Sequence, residues 1–122
     1  MKLRPAGPGD FTIEVDGVGT FIFGRRRQRD VYRIRGEYNR LTGGGNYDED
    51  GNFADLPALA HATLSVLTVQ APDGFDLDEL DPLTEDSDAK LMKVFMALRE
   101  KELSFRPRGR EESEAESQAD RE

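Results

Sequence analysis

Only a few side chains in this 122-residue chain are of types that could do chemistry, and their spacing decides what they can do. His61 is the sole histidine and stands in an apolar run, with no serine, cysteine or carboxylate at a recognisable catalytic spacing. It reads as a structural histidine. Residues 46–53 carry acids at alternate positions, then Gly51, then Phe53, which is how a calcium-binding loop opens. The twelfth position of that loop is Pro57, where a bidentate glutamate is required, so the stretch reads as a solvated acidic loop. Gly43-Gly44-Gly45 lacks the Gly-Lys-Ser/Thr that completes a phosphate-binding loop and reads as a flexible connector. Asp73, Asp76, Asp78, Glu79 and Asp81 are read as turn caps and charge repulsion, not as cation ligands. The chain has no cysteine, which excludes disulfides, thiolate metal sites and cysteine nucleophiles. No cofactor is called for, and the residues imply binding without catalysis.

One basic cluster could contact phosphates: Arg25, Arg26, Arg27 and Arg29, with Arg33 and Arg35 beyond it. Nucleic-acid binders combine such clusters with a basic domain and interleaved aromatics. This chain carries a net charge of −8, so the cluster is assigned to protein contact or to a solvated helix start, and no nucleic acid is expected. The charge is also unevenly placed. Residues 1–42 hold nine Lys/Arg against five Asp/Glu, whereas residues 43–89 hold twelve Asp/Glu and no Lys or Arg. A basic third followed by an acidic third suits self-association under ionic-strength control.

The elements that must position these groups follow from periodicity. Residues 1–9, with Pro5, Gly7, Pro8 and Gly9, read as a flexible arm. The alternation over 11–15, the Asp16-Gly17 pair and the return over 20–23 predict a β-hairpin with a two-residue turn. Val31, Ile34, Tyr38 and Leu41 share one face of a helix over 28–41, and Gly36 within it suggests a close packing contact. Residues 42–45 end that helix. A second helix, apolar over much of its circumference, is predicted over 56–69 with Pro57 in its first turn.

Residues 71–74 give a turn, and the acidic stretch 75–83 is an ordered loop or short helical turn. Asp86-Ser87-Asp88 caps a third helix over 88–104, with Leu91, Val94, Phe95, Leu98 and Glu102 along one side. Residues 107–122 lack apolar residues almost entirely and read as a disordered charged tail. The expected fold is α+β and mainly α: an N-terminal hairpin followed by about three amphipathic helices over residues 10–106. The start has basic residues without a following apolar stretch, and no run reaches the ~18 apolar residues of a membrane span, so a soluble cytoplasmic protein without membrane contact is expected.

The order of these parts carries a resemblance. The hairpin over 11–23, the basic helix over 26–41, the segment 64–83 (LTVLTVQAPDGFDLDELDPL) and the segment 90–106 (KLMKVFMALREKELSFR) resemble tail assembly chaperones of long-tailed bacteriophages. The similarity spans roughly residues 10–106 and is a pattern of apolar positions and turns with no catalytic signature. It implies a protein of the host cytoplasm, absent from the mature virion, that binds the tape measure protein, helps recruit tail tube subunits and self-associates. Candidate partner-binding residues are Arg26, Arg29 and Arg33 of the basic helix, and Met92, Phe95 and Met96 of the third helix, since methionine adapts to varied partners. The competing readings are a structural virion component, such as a small head–tail connector or tail subunit, and a nucleic-acid-binding regulator using residues 25–35.

Overall fold

The computed structural model describes residues 1–106; the tail expected over 107–122 lies outside the described residues. The described residues form an α+β fold in the order β1 (Phe11–Val15), β2 (Gly19–Phe23), α1 (Gln28–Thr42), α2 (Leu56–Leu67), β3 (Thr68–Gln70) and α3 (Ser87–Leu103), with a 3-10 turn at Leu77–Glu79. The strands make one antiparallel sheet in the order β1-β2-β3. The hairpin lies where the alternation placed it, but its turn is longer than expected. Val15 pairs with Gly19, leaving Asp16, Gly17 and Val18 between the strands. The Val18 N–H donates to the Val15 carbonyl at 3.0 Å, with Gly17 at φ 76° supplying the left-handed position.

The third strand departs from the sequence reading. The second helix stops at Leu67, and Thr68, Val69 and Gln70 leave it to pair with β2. Helix propensity does not forbid either state for these residues, but Thr68 and Val69 are β-branched and favour the pleated conformation. The open edge of β2 supplies hydrogen-bonding partners that a further helical turn would leave unused. Gly24 N–H donates to the Leu67 carbonyl and Arg4 N–H to the Thr68 carbonyl, each at 2.8 Å. So the expected lone hairpin is a three-stranded sheet, and the segment expected as an arm touches its last strand.

The core forms where one face of the sheet meets the helices. Ile13, Val15, Phe21 and Phe23 project from β1 and β2 into a cluster with Ile34 and Tyr38 of α1, Ala60, Leu64 and Leu67 of α2, and Leu91, Val94, Phe95 and Leu98 of α3. Helix α2 packs against both other helices, as its broad apolar circumference implied, and α3 also packs on β1. On α1 the buried stripe is Asp30, Ile34 and Tyr38, with Val31 and Leu41 left at the exposed margin. The expected face was therefore rotated by about one residue, and Asp30 takes the place assigned to Val31. Gly36 meets nothing within 4 Å where a Cβ would stand, so the close contact expected there is absent.

Candidate functional site

Three surfaces bring together the residues singled out above. The first is a cleft of about 620 Å³ between the N-terminal segment and helices α1 and α2. Arg33, Gly36, Glu37 and Arg40 of α1 line it, together with Ser65 of α2 and Asp78 of the 3-10 turn. Two anchors hold the N-terminal segment across it. The Met1 ammonium pairs with Asp76 at 2.9 Å, and Arg4 pairs with Asp30 at 3.0 Å. The ammonium accordingly titrates above its ordinary value because Asp76 accepts its hydrogen bond, and the Asp76 carboxyl is held below its ordinary value mainly by the same bond.

Beside this cleft His61 has neighbours that sequence spacing did not reveal. Its Nε2 lies 3.4 Å from Asp78 Oδ1, and its Nδ1 lies 3.5 Å from Ser65 Oγ. The trio has the residue types of a hydrolytic triad but not its chemistry. The Ser65 hydroxyl donates at 2.8 Å to the His61 backbone carbonyl, one helical turn back, so its proton is not offered to the imidazole. Ser65 also sits inside α2, where backbone N–H groups serve the helix ladder and leave no donors for an oxyanion. Nothing here activates a nucleophile.

The second surface is a groove of about 260 Å³ among the three helices. Ile34, Leu59 and Phe95 form its floor, while Val31 and Phe53 stand at its walls. Arg26, Arg35 and Arg99 rim it. Arg26 makes a two-pronged pair with Glu102, Nε to Oε2 and Nη2 to Oε1 both at 2.9 Å, and Arg99 reaches the same carboxylate at 3.4 Å. Arg35 lies over the Phe53 ring at 5.9 Å. One carboxylate thus answers two of three guanidinium groups, and the rim keeps a net positive charge.

The third surface is the outer side of α3. Met92 is half-buried, while Met96 is 58% and Leu103 is 48% exposed. Positions four and seven residues apart fall close to one line on a helix, so these three lie along one line three turns long, roughly 16 Å at 1.5 Å per residue, interrupted by Arg99 between Met96 and Leu103.

The six candidate residues therefore do not form one site. Phe95 is a core residue that reaches the groove floor, and Arg26 stands on the groove rim. Met92 and Met96 lie on the outer stripe, Arg33 faces the cleft, and Arg29 is exposed on α1. Among the described residues no carboxylate lies within ion-pair distance of Arg29 or Arg33. Val31, Phe53 and Leu59, which complete the groove, come from α1, the following loop and α2. The side-chain periodicity of α1 and α2 hinted at Val31 and Leu59, but not at Phe53 in the loop.

In the acidic loop, Asp48 Oδ1 accepts the Asp50 and Asn52 N–H groups, both at 2.9 Å, and so serves the turn itself. Among the described residues no three His, Cys, Asp or Glu side chains converge as a metal site, and no helix is long and apolar enough to cross a membrane. Compared with known proteins, the chain matches no family model, no curated protein and no solved structure.

Proposed function

We propose that this protein binds other polypeptides without catalysis, as a tail assembly chaperone of a long-tailed bacteriophage. It acts in the host cytoplasm, shields the tape measure protein and helps bring tail tube subunits to it. The observation that carries the reading is the stripe of Met92, Met96 and Leu103 along α3. The apolar side chains on either side of Arg99 accommodate one amphipathic helix through contacts at helical spacing. Methionine side chains rearrange at low cost to suit successive segments of a long partner. The inert Ser65–His61–Asp78 arrangement supports binding over hydrolysis.

The test is co-expression with a phage tape measure protein, scored by pull-down and by the soluble fraction of that partner. The intact chain should retain and solubilise the partner. Met96→Glu combined with Leu103→Glu should lose it while keeping the wild-type melting temperature, because both side chains are exposed. A partner equally soluble with and without this chain ends the proposal. Mass spectrometry of purified particles separates it from a virion component: the chaperone should be missing, and stoichiometric presence would count against it.

A further inference from the structure

The most exposed large apolar side chain in the described residues is Leu83, 94% open to solvent between α2 and α3. A single exposed leucine carries no message by itself. Leu83, however, is held out by a constructed turn: Asp81 Oδ1 accepts the Leu83 N–H at 2.9 Å, and the Asp81 carbonyl accepts the Thr84 and Glu85 N–H groups at 3.2 and 3.1 Å. Its surroundings are acidic, with Asp81, Glu85, Asp86 and Asp88 nearby in sequence and Lys90, paired to Glu85 at 3.2 Å, as the nearest base along the chain.

The groove described above is the converse of this knob. It is apolar within, at Leu59, Phe53 and Phe95, and positively charged at its rim, at Arg26, Arg35 and Arg99. Its volume of about 260 Å³ exceeds the roughly 150 Å³ of an apolar cavity that admits benzene. The two features cannot meet within one molecule. Leu83 precedes the first turn of α3, whereas Phe95 and Arg99 lie roughly 12–18 Å further along that helix at 1.5 Å per residue.

We infer that Leu83 and its acidic collar dock into the arginine-rimmed groove of a second copy of this chain. The inference rests on the self-association part of the reading above and not on the identity of any phage partner. Apolar insertion supplies the burial, and the opposite charges set the orientation and speed the encounter. Knob and groove are different surfaces, so the contact is head-to-tail. Each docked copy still offers a free knob and a free groove, so assembly continues to rings or open helices and does not stop at a symmetric pair.

Sedimentation velocity on the full chain, over a range of concentrations and from 50 to 500 mM NaCl, tests this, because the Debye length shortens about threefold over that range. Wild type should associate beyond a dimer, and less so at high salt. Leu83→Asp, at an exposed position, and Arg35→Glu, at an exposed groove-rim position, should each lower the association constant at least tenfold while keeping the wild-type circular dichroism and melting temperature. A mixture of the two variants should form a dimer that goes no further, since one supplies an intact groove and the other an intact knob. Association undiminished by Leu83→Asp overturns the inference and leaves self-association through another face. A mixture that stays monomeric also overturns it, because the two surfaces then do not meet. A wild type that is monomeric throughout removes self-association and this interface together, while retention of the tape measure protein, measured separately, is unaffected.

Discussion

Arg4 and Asp30 join the N-terminal segment to the start of α1. Arg4 Nη1 lies 3.0 Å from Asp30 Oδ2, and that same oxygen accepts the Arg27 N–H at 2.8 Å at the start of α1. Asp30 is 1% exposed, so one buried carboxylate both caps a helix and fastens the N-terminal segment. Removing Arg4 would leave that charge with the Arg27 N–H as its hydrogen-bond donor. Arg4→Ala is expected to cost about 3 kcal/mol in chemical denaturation. The double variant with Asp30→Asn should be less unstable than the sum of the single changes, and a coupling energy near zero in that cycle would show that the pair does not matter.

Tyr38 ties α1 to the loop that follows it. Its hydroxyl donates to the Asn46 carbonyl and accepts the Asp55 N–H at 3.0 Å, while its ring meets Phe53 edge-on at 4.7 Å. Tyr38→Phe keeps the ring and strips the hydroxyl, so a loss of about 1–2 kcal/mol is expected with the fold intact. Amide exchange at Asp55 should accelerate more than exchange in α3. Uniform acceleration across both would show that the hydroxyl does not anchor this loop.

Two glycines should respond oppositely to alanine. Gly19 sits at φ 138°, and a Cβ there would approach Pro72 Cγ to 2.5 Å. Gly19→Ala is therefore expected to destabilise by roughly 2 kcal/mol through backbone strain and the clash with the turn before the acidic loop. Gly36 is inside α1 with open space around it, so Gly36→Ala should stabilise by about 0.5–1 kcal/mol. Thermal melts of the two variants decide it, and a shift of the same sign in both would be incompatible with the geometry.

The Met1–Asp76 pair confers a stability window in pH. The Asp76 carboxyl is held below its ordinary 3.8 by the hydrogen bond from the ammonium, so its contribution is complete above that value and fades as pH falls through the lowered one. The ammonium is raised above 8.0 by the bond to Asp76, so its contribution is complete below 8.0 and fades as pH rises through the raised value. The melting-temperature difference between wild type and Asp76→Asn should therefore be largest between about pH 4 and 8 and shrink at both extremes. A difference that does not shrink as pH rises well past 8 would trace the effect to the 3-10 turn, whose Asp78 N–H Asp76 also accepts at 3.0 Å.

The functional surfaces were partly legible before the fold. Met92 and Met96 sit one helical turn apart, and that spacing alone put them on one side of α3. Leu103 extends the line, but its exposure depends on where β1 and α2 cover the rest of the helix. Arg26 was singled out for its charge, yet its role at the groove follows from Glu102, seventy-six residues away. Phe95 was read both on the apolar side of the third helix and as a candidate partner-binding residue, and packing places it in the core, at the groove.

By itself the sequence determined the hairpin strands, the three helix starts, the glycine stop after α1 and the Asp86 cap of α3. Each of these depends on residues within about four positions of one another, through side-chain period, turn chemistry or a capping carboxylate. Tertiary structure alone decided that Thr68–Gln70 becomes a strand, that Asp30 faces the interior with Arg4, and that groove and knob lie at separate ends of α3. Those outcomes require partners far along the chain: an open sheet edge, a buried cation, or another helix. A residue's own neighbours contain no record of which distant group will satisfy its hydrogen bonds or cover its apolar face.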